Sequence, residues 1–316
     1  MLGLDLDWAR TTLIAAPTSR AFLHDDRLTS DPHRVGLCPH PSRNLLLSDG
    51  FVHRSLRAEV VAIIADRTRH GLRERLEARL EQCLGDLGRG RIELISGVID
   101  PIVVEACAHL ADIPPAAVEE LSERLTATRG MLEPDAPSAP GAALAAWLMR
   151  SPLAGSSEVV ERLVDRCRAC DLPAAAGHVL TATLLHGAYE NPLNYLGHLV
   201  LAAVTNRSSD LDQLKSNAFG ERAPVRQVLR FAVEGLDEHD LAAGSPVWLS
   251  LLPASDGQPL MFGAGRHRCP GQSPATVMAE VILGGALGLW LDSELVDVDR
   301  HGGTVADGYR SITVQR

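Results

Sequence analysis

The stretch FGAGRHRCPG, residues 262–271, places a cysteine among residue types that could do chemistry. Cys269 stands just before Pro270 and an apolar helical pattern, so its thiol is expected near a helix N-terminus. Free amides and the helix dipole favour the thiolate there, and a thiolate is both a nucleophile and a metal ligand. The sequence thus offers a candidate ligand or reactive cysteine, against the alternative of a buried structural cysteine in a glycine turn.

The glycines of the same stretch indicate what the sulfur could face. Gly263 and Gly265 permit backbone angles and close approaches that a side chain would prevent. A loop of that kind can lie flat against a planar cofactor. His267, two residues before the cysteine, could then reach an acidic edge of the cofactor.

This pattern resembles the heme-binding signature of the cytochrome P-450 family, Phe-Gly-x-Gly-x-His-x-Cys-x-Gly, at every fixed position. The resemblance implies heme b, with Cys269 as the axial ligand of the iron. It also implies that the rest of the loop contributes to the cofactor site, through Phe262, Gly263, Gly265, His267 and Gly271.

Further segments resemble the family in chain order. DGFVHRSLR at 49–57 is similar to the start of a family helix whose histidine and arginine grip a heme propionate, and this implies that role for His53 and Arg57. The two lie one helical turn apart and so share a face, although such a pair alone would more often be a solvated surface. LLHGAYENPLNYLGHLVLAAV at 184–204 resembles the long central helix that crosses above the heme.

The oxygen-activating turn of that central helix departs from the family pattern. Where the family reads Ala/Gly-Gly-x-Asp/Glu-Thr, this chain reads GAYENP at 187–192. We expect Gly187 to border the cofactor and Glu190 and Asn191 to be catalytic. An amide donates a hydrogen bond but does not pass on its own proton as a hydroxyl does, so the proton relay is altered. His186 either lines the same pocket or is a satisfied helix histidine.

A second departure concerns the family's Glu-x-x-Arg pair. In this chain Gln227-x-x-Arg230, on a helix predicted over 225–232, resembles that pair. A glutamine stands in place of the glutamate, so the arginine lacks the carboxylate partner that the family provides. The interval from Arg230 to Cys269 is too short for the usual strands plus the irregular segment before the heme loop. The segments that shape the substrate pocket are also brief, which favours a shallow, open pocket.

Composition and periodicity bound the fold. Hydrophobic residues make up 46% and aromatic residues 4% of the 316 residues, so the core must be built mainly from Leu, Val and Ala, which favours helices. Helices are predicted over 52–87, 92–110, 116–131, 142–150, 159–170, 174–206, 225–232 and 272–291, and strands over 11–16, 246–252 and 311–315. We predict one P-450-like domain, residues 1–316, mainly α with a small β component and truncated relative to the family.

The net charge limits the kinds of binding partner that are expected, and the cysteines bear on disulfides and metal sites. The formal charge of −10 argues against nucleic acid or an anionic membrane surface. No signal-peptide pattern or membrane-spanning run is evident, so a cytoplasmic protein is expected. Six cysteines in such a chain do not indicate a disulfide framework, and the CRAC pair at 167–170 lacks the further ligands of a zinc site.

The resemblance implies a monooxygenase-type oxidoreductase that tailors a small-molecule or carrier-bound specialised metabolite, by hydroxylation or a related oxidation. Electrons would come from a ferredoxin and its reductase, with Arg230, Arg266 and Arg268 either forming a docking face or merely solvating the surface. The altered turn leaves open peroxide-driven or redox-neutral chemistry such as dehydration, rearrangement or cyclisation. A helper subunit without catalysis is a further alternative, and a homodimer would cover the flank of a trimmed domain.

Overall fold

The structure, a computed structural model, describes residues 12–38, 45–151, 157–220, 222–252 and 260–316. The first eleven residues, which carry the acidic N-terminal segment, lie outside these ranges. The α-helices of the described chain are α1 (Ala16–Phe22), α2 (Gly50–Arg69), α3 (Leu72–Asp86), α4 (Asp100–Leu110), α5 (Val118–Ala127), α6 (Ala139–Arg150), α7 (Glu158–Arg168), α8 (Ala175–Asn206), α9 (Leu211–Phe219), α10 (Gln272–Gly285) and α11 (Leu287–Asp292).

Two small sheets accompany the helices. Their strands are β1 (Thr12–Ile14), β2 (Leu28–Thr29), β3 (Arg91–Glu93), β4 (Gln227–Ala232), β5 (Pro246–Ser250), β6 (Glu294–Gly302) and β7 (Asp307–Gln315). One sheet has the order β1-β5-β4-β2, with β1 parallel to β5 and the other pairs antiparallel. The other has the antiparallel order β3-β7-β6. The prediction of a mainly α protein with a small β component is confirmed.

The helix predicted over 225–232 is wrong, because this segment is strand β4. It pairs antiparallel with β5, Gln227 opposite Ser250 and Arg230 opposite Val247, and its far end pairs with β2. A short apolar run cannot be assigned to helix or strand by periodicity alone, so the strand partners on both sides decide its conformation. Gln227 and Arg230 are therefore not one helical turn apart, and the comparison with a helical Glu-x-x-Arg pair fails.

The helix predicted over 92–110 was expected to be kinked or to start at Pro101, and it starts one residue before that proline. Arg91–Glu93 is strand β3, a π-helical turn follows at Ile95–Ile99, and α4 starts at Asp100 with Pro101 in its first turn. Proline is favoured there because its missing N–H would have no partner in the first turn anyway. The other predicted helices and the three predicted strands are confirmed, with shifts at their ends.

Helix α8 is the central element that positions the candidate site. It runs for 32 residues and is continuous through Pro192, and most of its residues are buried against α4, α6, α7, α9 and β7. Because Pro192 has no N–H, the carbonyl group of Ala188 loses its helical donor. Around α8 the largest apolar cluster joins α3, α4, α5, α6 and α10, as leucine- and alanine-rich helices would be expected to do.

No helix within the described ranges combines the length and the hydropathy needed to cross a lipid bilayer.

Candidate heme-thiolate site

A cavity of about 380 Å³ lies between the middle of α8, the start of α2, strand β4 and the loop before α10. Its lining is largely apolar, and leucine is the commonest residue in it. Of the predicted site residues, all but Gly265 and Glu190 border it, so the fold gathers segments that are over 200 residues apart in the chain. The bordering residues are His53, Arg57, Gly187, Asn191, Phe262, Gly263, His267, Cys269 and Gly271.

The loop from Phe262 to Gly271 is built as its glycines predict. Gly263 and Gly265 have φ angles of 62° and 66°, in the left-handed region that favours glycine. A Cβ atom on Gly265 would lie 2.2 Å from the carbonyl oxygen of Leu23, so no side chain fits there. The N–H of Cys269 donates to the carbonyl oxygen of Phe262 at 2.8 Å and closes the loop on itself.

Cys269 presents its thiol to the cavity. It lies three residues before α10, which starts at Gln272, and the N–H of Gly271 donates to its sulfur at 3.3 Å. Removal from water raises the pKa of Cys269 above its ordinary value, although the Gly271 N–H and the charge of Arg57 act the other way. In the protein alone the net effect opposes the expected bias toward thiolate, and a bound metal ion would favour deprotonation of the sulfur.

One edge of the cavity carries an excess of positive charge. Arg57 and Arg230 both border it, while no aspartate or glutamate does so among the described residues. Burial lowers the pKa of Arg230 to about 10, and its side chain makes a hydrogen bond only to the neighbouring carbonyl oxygen of Leu229 among the described residues. Arg57 donates to the carbonyl oxygen of Arg268 and so ties α2 to the cysteine loop.

Two histidines complete this edge. The rings of His53 and His267 lie 4.1 Å apart between centroids. His53 is buried, its Nε2 has no hydrogen-bond partner among the described residues, and burial lowers its pKa to about 4. A buried imidazole nitrogen without a partner is costly, and it marks a place where a ligand atom could bind.

Asp49 holds the cysteine loop in place, and the sequence analysis missed it. Its Oδ1 accepts from His267 Nε2 at 2.9 Å and from Arg266 Nε at 3.1 Å, while Oδ2 accepts from the Ser30 N–H at 2.8 Å and from the Thr29 hydroxyl. These donors hold the pKa of Asp49 well below its ordinary value. Asp49 stands at the start of DGFVHRSLR, four residues before His53, and this spacing is the sequence feature from which its role could have been predicted.

The role predicted for His267 needs a correction. Because Asp49 is an ionised acceptor, the Nε2 of His267 carries the hydrogen and points to Asp49. Burial lowers the pKa of His267, and in the neutral ring Nδ1 has a lone pair, which could accept from a cofactor but could not donate to a carboxylate at its acidic edge. Asp49, His53 and His267 lie close enough to hold a metal ion, with ligand atoms within 4.8 Å. Each carboxylate oxygen of Asp49 already accepts two hydrogen bonds, and the charges of the nearby arginines disfavour a further cation. This edge of the cavity therefore suits an anion rather than a metal ion.

Of the three arginines considered for a docking face, only Arg268 remains a candidate. Arg230 borders the cavity and does not belong to an outer face. Arg266 pairs with Asp26 and Asp49 and donates to the carbonyl oxygen of Leu28, so its charge is compensated. Arg268 remains exposed beside the cysteine.

The altered turn of α8 separates the two residues predicted to be catalytic. Asn191 borders the cavity, and its Oδ1 is buried without a hydrogen-bond partner among the described residues. Glu190 does not border the cavity, since its Oε1 accepts from the N–H of Gly130, in the segment after α5, at 2.7 Å. Burial raises the pKa of Glu190. Glu190 could therefore reach the cavity only through a neighbour.

His186 is that neighbour. It borders the cavity one turn before Glu190, with its Nε2 3.3 Å from Glu190 Oε2 and its Nδ1 3.1 Å from the Thr128 hydroxyl. Both interpretations of this histidine therefore hold in part, because it lines the pocket and also has partners. The Thr128 contact comes from a turn after α5 that carries no sequence signal.

Cys167 and Cys170 are buried in an apolar cluster between α2 and α7. They form no disulfide in the described chain and join no group of potential metal ligands there. Burial raises the pKa of Cys167 to about 11, which is typical of an inert structural thiol.

The residues of the cavity fit a heme. A cysteine sulfur opens onto it, Gly263 lets the backbone approach, and the apolar lining suits a porphyrin face. The desolvated guanidinium of Arg230 and the unpartnered Nε2 of His53 lie at one edge, where the two propionates of heme would supply the missing negative charge.

The sequence matches no protein-family model and no curated protein sequence. Solved structures, in contrast, match along nearly the whole chain. Ligand-free CYP164A2 of Mycobacterium smegmatis is 19% identical, with a TM-score of 0.80 over 99% of this chain and 93% of that chain. A mutant of P450 EryK in complex with erythromycin B is 20% identical, with a TM-score of 0.77 over 96% of this chain and 90% of that chain.

P450BioI in complex with an acyl carrier protein ligated to hexadec-9Z-enoic acid is also similar. It is 17% identical to this chain, with a TM-score of 0.74 over 96% of this chain and 91% of that chain. At such identities the likeness establishes the fold. The chain has the cytochrome P450 fold, as the heme-loop signature predicts.

Proposed function

We propose that this chain is a heme-thiolate oxidoreductase that tailors a small, largely apolar molecule. The observation that carries the proposal is that Cys269, the cationic edge and the altered turn of α8 all border one cavity. When bound there, heme would supply the oxidising chemistry, in which a cysteine thiolate ligand favours cleavage of the oxygen–oxygen bond.

The chain's own residues would divide the work as follows. Cys269 would bind the iron, and the N–H of Gly271 would stabilise the charge on its sulfur. Arg57, Arg230 and His53 would bind the propionates and would regain by charge-assisted hydrogen bonds the solvation that burial removes. Asp49 would orient His267 toward the same edge.

The cavity lining supports a neutral, mostly apolar substrate. Among the described lining residues no carboxylate could compensate an ammonium group, and the propionates would occupy the two arginines. Two of the structural neighbours were solved with natural products bound, a mutant of P450 EryK with erythromycin B and the P450 monooxygenase TamI with tirandamycin C. P450BioI receives its fatty acid on a carrier protein, so a carrier-bound substrate is the second form to test.

Two ways of supplying the oxidation are compatible with the site, dioxygen with electrons from a redox partner, or hydrogen peroxide. Ferredoxin and its reductase would deliver electrons on the cysteine side, where Arg268 is exposed. Asn191 stands at the position of the relay hydroxyl, and this favours the peroxide-driven or redox-neutral alternative, because an amide cannot pass on its own proton. For the helper-subunit alternative, Gln227 and Arg230 no longer count as a broken helical pair, since they lie on a strand, but the short interval between Arg230 and Cys269 still supports it.

The proposal is tested by titrating the purified heme-free chain with heme and then supplying a panel of macrolides, polyketides and carrier-bound fatty acids. We expect one heme per chain. We also expect oxidised products, identified by mass spectrometry, either with dioxygen and electrons from ferredoxin, its reductase and NADPH, or with hydrogen peroxide alone. A chain that binds no heme at equimolar concentration would contradict the proposal and favour the helper subunit.

A further inference from the structure

The strongest feature outside the cofactor contacts is the pair formed by His186 and Glu190 on α8. Their side chains are 1% and 2% exposed, and His186 Nε2 lies 3.3 Å from Glu190 Oε2. Neither atom has a hydrogen-bond partner among the described residues, because the two lie within ion-pair distance but are not aligned for a hydrogen bond. His186 borders the cavity and Glu190 does not, so the imidazole stands between the acid and the cavity.

The hydrogen bonds around the pair fix where the protons lie. The hydroxyl of Thr128 donates its single hydrogen to the carbonyl oxygen of Leu125 at 2.7 Å. It must therefore accept from Nδ1 of His186, which makes Nδ1 the protonated nitrogen and leaves a lone pair on Nε2. Glu190 Oε1 accepts from the N–H of Gly130, so only Oε2 faces the imidazole. One further proton, held between the two atoms after a small rotation of the ring, would satisfy both Oε2 and Nε2.

We propose that His186 and Glu190 share one proton at the wall of the cavity, and that His186 delivers it to a molecule bound there. The imidazole would thereby take the place of the hydroxyl that is absent at Asn191. Delivery of the proton rests on the proposed function. Sharing of the proton does not, because it is expected in the heme-free protein as well.

The electrostatic surroundings favour a neutral pair. Burial lowers the pKa of His186 to about 4 and raises the pKa of Glu190, so both charged forms are disfavoured. The charged groups that face Glu190 are Arg129, which favours the carboxylate, and Glu133, which opposes it. On the α4 side, Tyr189 donates separately to Asp100 at 2.5 Å and takes no part in the pair.

The transfer is a proton movement only. The O–H bond at Glu190 Oε2 breaks as the N–H bond at His186 Nε2 forms, which gives an imidazolium and a carboxylate. The ring then turns about its Cβ–Cγ bond, and an acceptor in the cavity takes the proton from Nε2. The Gly130 N–H and Arg129 stabilise the carboxylate until a proton from solvent restores the acid.

The shared proton is tested in the heme-free protein by ¹⁵N NMR of ring-labelled histidine, with His186 assigned through His186→Gln. We expect Nδ1 to stay protonated near neutral pH and Nε2 to show a pH-dependent shift that Glu190→Gln abolishes. Glutamine keeps an acceptor for Gly130, so this variant should fold. An Nε2 shift that does not change with pH, or that is the same in Glu190→Gln, would overturn the proposal even if heme binds.

Delivery is tested in the heme-loaded protein with hydrogen peroxide as oxidant and guaiacol as the probe. We expect Glu190→Gln and His186→Gln each to lower the rate on the order of 100-fold, and the double variant to lose no more than either single change. The rate of the wild type should fall with rising pH in step with the NMR transition. His178→Gln, on the same helix but outside the cavity, is the control and should stay within about twofold. Variants that lose stability but keep the wild-type pH profile would show a purely structural pair and refute delivery.

Discussion

A Cβ atom placed on Gly265 would lie 2.2 Å from the carbonyl oxygen of Leu23, while the φ angle of Gly265 is 66°. The cysteine loop is therefore pressed against the residue that follows α1, at a backbone conformation that other residues rarely adopt. This contact sets the position from which Cys269 faces the cavity.

Gly265→Ala should displace the loop. The positive φ and the overlap with backbone atoms together should cost about 2–4 kcal/mol of unfolding free energy and should weaken heme binding as well. Urea unfolding and a heme titration measure the two effects. Gly85→Ala, in α3 where an added Cβ meets nothing within 4 Å, is the control and should be neutral or slightly stabilising. Equal effects of the two changes would contradict the role of the loop.

Arg230→Leu should act in opposite directions on the two forms of the protein. The heme-free chain should gain about 1–3 kcal/mol of stability, because a desolvated cation without a carboxylate partner leaves the cavity edge. Heme affinity should fall about 10- to 100-fold through the loss of a propionate contact. Thermal unfolding of the heme-free chain and competitive heme transfer to apomyoglobin measure these changes. Arg230→Lys, which keeps the charge, should lose less affinity, and an unchanged affinity in Arg230→Leu would remove Arg230 from the site.

Glu133 fastens one side of the cavity. Its carboxylate accepts from the backbone N–H groups of Thr304, Val305 and Ala306, at 2.6 to 3.2 Å, and Val305 borders the cavity. Glu133→Gln keeps one acceptor oxygen and should cost about 1–3 kcal/mol of unfolding free energy, measured by urea denaturation. Asp135→Asn, exposed in the same loop, should change stability by less than about 0.5 kcal/mol. A neutral Glu133→Gln would mean that these turn amides are satisfied in another way.

Stability should fall as the pH decreases from about 6.5 to about 4, partly through His186. Burial lowers the pKa of His186 to about 4, below its ordinary value of 6.5, so the unfolded chain binds the proton first in this window. The full shift corresponds to about 3 kcal/mol lost at the acid end. The difference between the urea unfolding midpoints at pH 7 and pH 5 should therefore be smaller in His186→Gln than in the wild type. The same difference between the two midpoints in both proteins would show that His186 is accessible to protons in the folded state.

The sequence predicts the cysteine loop and its partners well, because their chemistry is local. Gly263 and Gly265 adopt left-handed φ angles, which glycine allows and most other residues do not. His53 and Arg57 share a helix face because they are four residues apart. Of these residues, Gly263, His53 and Arg57 border the cavity as expected, whereas Gly265 packs against Leu23 instead.

The errors concern features decided by distant partners. Arg230 was assigned to a helix because a short apolar run carries no clear period, and only the pairing of β4 with β5 makes it a strand residue at the cavity. Glu190 was expected to face the cavity from its place beside Asn191. The N–H of Gly130, some 60 residues earlier in the chain, draws its carboxylate to the other side of α8.

The central claim is that the sulfur of Cys269 binds a heme iron in this cavity. The most direct measurement is the absorption spectrum of the ferrous carbon monoxide complex in the wild type and in Cys269→Ser, with Cys107→Ala, the other cavity-lining cysteine, as the control. The account predicts the red-shifted Soret band of thiolate ligation in the wild type and in Cys107→Ala, and its loss in Cys269→Ser. A red-shifted band that survives in Cys269→Ser would contradict it.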